Sequence, residues 1–293
     1  MIKSFLKYIS IAIICLCLTI SLCGCSKTDE NKDIEKTLSQ IQYLDDQIIY
    51  MMNKLNNINF DNYTVKSVEI KKESESGISS SGESGSSSGS SGAEASSESS
   101  SSNKGTTTSL RLEHNNILVS SRDEIDWEKV KSDIELLSSV WNVIIVDLYK
   151  IGITNTQILG FSNDLNKAII SIKNEDKEKS LEDLVNLYGY LPQYLDIVDT
   201  NKGLKDLTET KYNVLKAYAV LDKENWADTL KFVKEANTTF QNVLNNTGYI
   251  KDKQVSMNNI NVLLKEFENS LSTKDKDIFF IKYKKLMEST YEI

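Results

Sequence analysis

Cysteine is confined to the front of the chain: Cys15, Cys17, Cys23 and Cys25 are the four present. A domain beyond residue 25 therefore has no thiol for a disulfide, a cysteine zinc site or a cysteine nucleophile. Histidine is scarcer still. His114 is the only one, so paired histidine metal ligands and Ser-His or Cys-His nucleophile systems cannot be built. His114 is read as a surface residue. Cations are in deficit: 34 Lys+Arg against 42 Asp+Glu give a net charge of −8. That balance argues against nucleic acid or anionic phosphate as a main partner, and no Gly-rich phosphate loop precedes a helix. No cofactor and no metal are expected, and no catalytic activity is inferred. The carboxylate doublets Asp45-Asp46 and Glu182-Asp183 are the remaining inventory for a hydrolase. Neighbours on a helix point in different directions, so both doublets are read as solvated faces.

What is present begins with a three-part pattern. Lys3 and Lys7 precede a nearly unbroken apolar segment from Tyr8 to Leu22, and the chain turns polar at Ser26-Lys27-Thr28-Asp29. A basic start, an apolar middle and a small residue before a cut describe an export signal. The run is shorter than the roughly 18–20 residues of a spanning helix. The sharp polarity break also counts against an uncleaved anchor helix. Leu22-Cys23-Gly24-Cys25 resembles the lipobox of bacterial lipoproteins, with Cys23 where Ala or Ser is commoner. The resemblance implies cleavage between Gly24 and Cys25, a diacylglyceryl group on Cys25, and attachment to the outer face of the cell membrane. Loss of Lys3 and Lys7 would leave 32 cations against 42 acids, a net of −10. The anchor would then rest on acyl chains without a polybasic helper.

Past the anchor, helical periodicity dominates. Ile34, Leu38, Ile41, Ile48, Met52 and Leu55 recur at helical steps over about 29–58, with Asp45 interrupting the stripe. So apolar a face needs a partner, and the helix is expected to fold back onto the main domain. Thr64 to Ile70 and Leu110 to Val119 carry β-branched residues that could pair as short strands. Between them, about 73–109 is Ser/Gly with scattered Glu, a composition that cannot bury apolar surface and reads as a flexible insert. Gly85-Ser86-Ser87-Ser88-Gly89 inside it matches a nucleophile elbow only by composition, with no strand before it and no helix after.

From Asp123 the stripes are continuous. Trp127, Val130, Ile134, Leu137, Trp141, Ile144, Leu148 and Ile151 predict one long helix that Gly152 ends. Thr154-Asn155-Thr156-Gln157 reads as a capping box opening the next. A further helix runs from Asp176 through Leu181, Tyr188 and Leu195 to Val198, with a break expected near Gly189 to Pro192 because proline lacks a backbone donor. Helices after Gly203, over about 224–245, and around Ile260 to Leu271 follow. A last one is placed after Ser272-Thr273-Lys274-Asp275, read as a second capping box, with Asp275 and Asp277 as helix-start acids. The expected fold is all-α, a multi-helix bundle or an array of helical hairpins, over 123–293.

Tyr188, Gly189, Tyr190, Pro192 and Tyr194 form the most distinctive local cluster. A helix break frees backbone groups and can open a groove, and tyrosine offers a flat apolar face and a hydroxyl. Tyr188 falls on the core stripe; Tyr190 and Tyr194 are singled out as contacts for a peptide, glycan or protein partner. Over Asp126-Trp127-Glu128-Lys129-Val130 through Asp147-Leu148-Tyr149, and over Asn174 through Leu195, the chain resembles lipoproteins of low-GC Gram-positive bacteria whose role is undefined. That resemblance implies surface display. The expected function is a membrane-anchored helical domain binding a protein, peptide or envelope polymer. A solute-binding lipoprotein of a transporter and a carboxylate-dependent envelope enzyme are the alternatives.

Overall fold

The computed structural model describes residues 26–60, 117–199 and 202–291, with side chains from Lys32 onward. Within them the protein is all-α. The helices are α1 Ser26–Lys54, α2 Trp127–Lys150, α3 Asn155–Lys173, α4 Lys177–Tyr188, α5 Leu191–Val198, α6 Gly203–Leu221, α7 Trp226–Asn245, the single turn α8 Thr247–Ile250, α9 Gln254–Ser270 and α10 Lys276–Tyr291. A 3-10 turn, Leu271–Thr273, joins the last two. No helix among the described residues is long and apolar enough to cross a membrane.

Local chemistry sets the boundaries. Asp126 caps α2 by accepting from the Lys129 amide at 3.0 Å. Gly152, at φ +90°, ends that helix. The Ile153 amide reaches Leu148 O and the Gly152 amide reaches Tyr149 O, the paired bonds of a Schellman stop. Thr154 and Gln157 close the capping box at α3. The expectation at Ser272 is corrected. Asp275 caps α10, accepting from the Ile278 amide at 3.0 Å. Ser272 and Thr273 instead donate back to Asn269 O and Ser270 O. A carboxylate beside the first helical amides is the stronger acceptor, so it takes the cap.

Successive helices pack on one another, α6 with α7, α3 with α4 and α9 with α10, while α1 packs on α2, α4 and α5. From Gln40 to Phe60 this helix and its C-terminal turn are buried almost throughout, with only Gln42 exposed. Ile41, Leu44, Ile48, Ile49, Met51, Met52, Leu55 and Ile58 all lie in the core. The helix at 29–58 is thus a central element of the bundle.

Burial on every side also encloses its polar residues. Asp45 and Asp46, expected to be solvated, are 6% and 3% exposed. Asp45 accepts from the Tyr188 hydroxyl and pairs with Lys211, itself buried. Asn53 accepts from the Tyr283 hydroxyl at 2.8 Å, and Asn56 donates to the Tyr218 hydroxyl at 2.9 Å, which in turn donates to Met52 O. At the other end Gln40, Lys36 and Lys150 converge on Asp147. Asp183 is buried as well, against Lys179, while its neighbour Glu182 is exposed.

The Asn57 side chain donates to Ser121 O at 3.2 Å, so the described stretches that end at Phe60 and begin at Ile117 lie close together. The Ser/Gly-rich insert, the segment Thr64–Ile70 and most of Leu110–Val119 lie outside the described residues. Of the last, Ile117 to Val119 form a turn.

Candidate polar groove at the α4–α5 break

Pro192 is the second residue of α5. Its ring cannot follow the Tyr188 carbonyl in a continuous helix, and it brings no amide to bond there. The chain therefore breaks at Gly189 and Tyr190, as the position of the proline predicts.

The three tyrosines of this cluster go to three different places. Tyr188 is fully buried and its hydroxyl is spent on Asp45. Tyr194 is 0% exposed: it stacks near Trp141 and Phe161, and its hydroxyl donates to Gln157 O at 3.3 Å. As a surface contact Tyr194 is therefore corrected to a core residue. One residue of helix separates it from Pro192 on the inward face. Tyr190 alone is half-buried. Its ring meets the Phe161 edge, and its hydroxyl donates to Asp164 Oδ2 at 3.0 Å. Burial, with the Asp164 hydrogen bond and charge, pushes the Tyr190 hydroxyl up to about 12, so it remains a donor at any physiological pH.

Around Tyr190 lies an open groove of about 500 Å³, lined also by Gln157, Asp164, Asn186, Gln193 and Tyr212. Two glycines set its floor. A Cβ at Gly160 would stand 2.6 Å from the Tyr190 hydroxyl oxygen, and one at Gly189 would stand 3.0 Å from Cζ of Tyr212. The hydroxyl end of each ring thus lies against glycine backbone that a side chain would occupy. Tyr212, contributed by α6, stacks on Tyr188 at 6.3 Å between centroids, and burial raises its hydroxyl pKa. It also lines a second groove of about 730 Å³ between α6 and α7, where Lys216 pairs with Glu235 at 3.0 Å.

Sequence reasoning placed a groove at the break and Tyr190 in it, and missed Tyr212, Gln157 and Asn186. Gln157 and Tyr212 come from other helices, α3 and α6, and no local signal joins them to residue 190, whereas Asn186 stands four residues before it at the end of α4. Neither carboxylate doublet lines either groove. Among the described residues no group of three or more His, Cys, Asp or Glu is placed to hold a metal ion. Gly24, Cys25 and His114 lie outside the described residues. No family model, curated protein or solved structure matches this chain.

Proposed function

We propose that the protein is an extracytoplasmic lipoprotein, held to the membrane through lipidated Cys25, whose helical domain binds an envelope polymer, peptide or protein at the groove beside Tyr190. The observation that carries this reading is the adjacency of two elements. Leu22-Cys23-Gly24-Cys25 closes the apolar run, and α1, the helix enclosed by the bundle, is already helical at Ser26. Ile34 packs against the core and Thr37 is buried. The helical turns from Ser26 to Asp33 span about 12 Å at 1.5 Å per residue. An acylated Cys25 would hold the domain close to the bilayer. Lys36 and Gln40 meet Asp147 near the end of α2, so that end of α2 lies beside the N-terminal part of α1.

Two acyl chains give stable attachment where one is marginal. Cells expressing the full chain are to be labelled with radioactive palmitate, fractionated, and used for affinity capture. A soluble form starting at Ser26 serves as the control. Label in the membrane-bound protein, lost on Cys25→Ala, is the expected result. Absence of label with residues 1–24 still present by mass spectrometry overturns the anchor.

A further inference from the structure

We infer that the groove at the α4–α5 break takes a neutral, hydroxyl-rich polymer, a glycan strand laid across Tyr190 and Tyr212. The inference rests on the partner-binding reading above and names the chemistry of the partner.

Charge eliminates the polyanions. Neither Lys nor Arg lines this groove, and its one carboxylate, Asp164, is already held by the Tyr190 hydroxyl and by Lys167 at 2.7 Å. Lys216, over the Tyr212 ring at 5.0 Å, is paired with Glu235, so a phosphate polymer would find no unpaired counter-charge, on a protein that is acidic as a whole. The same pairing leaves little for a cationic strand to attract. Shape and lining count against a peptide. Anchor residues of a bound peptide fill apolar pockets, and the lining contains no Leu, Ile, Val, Met or Phe.

What remains is flat aromatic surface edged with amides and hydroxyls. A pyranose ring carries a C–H face that lies on an aromatic ring and a rim of hydroxyls that both donate and accept. Side-chain amides match that rim, having two donors and two acceptor sites each. Asn186 and Gln193 are exposed at the groove. Gln193 uses its Nε2 on Gly189 O, and its amide oxygen is an acceptor. The platforms are preorganised. Gly160 and Gly189 let the hydroxyl ends of the two tyrosines approach the backbone closely, Tyr190 is tied by its hydroxyl to Asp164, and Tyr212 is stacked on buried Tyr188. Rings held this way lose little further freedom on binding. An open groove also suits a strand passing through, where an enclosed cavity would suit a small solute.

The test uses the full, lipidated chain in detergent, titrated by calorimetry with neutral β-linked N-acetylglucosamine oligomers. Polyglycerol phosphate and a cell-wall stem peptide run as parallel arms. Oligomer binding that is insensitive to salt is expected. Tyr212→Ala should weaken it about tenfold, and Gly160→Ala, which drives Tyr190 off its seat, by a similar factor, while Tyr212→Phe retains most of it. Circular dichroism confirms that each variant is folded. Should Gly160→Ala fail to fold, the exposed Asn186→Ala takes its place, with a loss of a few-fold expected. No binding to the oligomer, or binding unchanged in both Tyr212→Ala and the second variant, overturns the inference. Tighter, salt-sensitive binding of polyglycerol phosphate also overturns it. Capture of the stem peptide alone overturns the glycan assignment while keeping the groove as a partner site. Loss of palmitate label would strike the anchor and leave this result standing.

Discussion

Lys211 reaches Asp45 inside the bundle, and the Tyr188 hydroxyl donates to the other oxygen of the same carboxylate. Lys211 also lies over the Tyr291 ring at 5.0 Å. A buried pair of this kind contributes little net stability, yet breaking it from one side strands a charge in the interior. Lys211→Met is therefore expected to cost about 3–5 kcal/mol in urea unfolding, and adding Asp45→Asn should recover a good part of the loss. Additive losses in the double variant would show that the two groups are not coupled. At the opposite end of α1, burial alone would raise the Asp147 carboxyl, but hydrogen bonds from Lys36, Gln40 and Lys150 outweigh it and hold it below the usual carboxylate range. A carboxyl with a depressed folded pKa stabilises the native state above its unfolded value, and that contribution is lost as pH falls through the folded value. Asp133 acts in the opposite sense. Burial dominates over Lys129 and raises it, so its contribution is present at low pH and lost as pH rises. Asp147→Asn should thus unfold at lower urea than the parent at about pH 7, with the gap closing as pH falls below the ordinary carboxylate range. A gap that stays constant with pH would refute the assignment.

At the scale of elements, stops are built in two ways. Gly152 takes its left-handed conformation without strain, whereas Glu175 makes the same pair of bonds at the end of α3 with φ +57°. Lys202, Glu224 and Lys274 are also left-handed residues carrying a Cβ. Such a conformation costs about 1–2 kcal/mol, less for Asn, whose short side chain bonds locally. Lys274→Asn, at φ +50° between the 3-10 turn and α10, is expected to raise stability by about 0.5–1 kcal/mol. An unchanged or lower thermal midpoint would show that Lys274 carries no strain there. The α4–α5 break was legible because one proline in a helical pattern has a local effect. The cap of α10 was not assigned correctly, because Ser272 and Asp275 compete for the role and only the backbone path decides between them.

For the molecule as a whole, α1 decides whether there is a core. Eight of its buried apolar side chains at about 1.5–3 kcal/mol each sum to roughly 12–24 kcal/mol of burial, at or beyond the about 5–15 kcal/mol by which domains are stable. A chain starting at Ile117 is expected to lose its cooperative thermal transition and to bind a hydrophobic dye. A sharp transition in that truncation would make α1 an accessory. Periodicity, caps, Gly152 and Pro192 determined the helices, because each is a matter of neighbours within a turn or two. The scarcity of cysteine and histidine limits chemistry whatever the fold. Asp45 visibly interrupts one apolar stripe, and Lys211 falls between Leu207 and Val214 on another. Nothing in the linear pattern says that these two charges answer each other, 166 positions apart. Tertiary structure alone decided that pairing, the burial of Tyr194, and the meeting of Tyr190 with Tyr212. Each depends on which faces of distant helices come together, and packing chooses those faces only once the whole bundle has closed around α1.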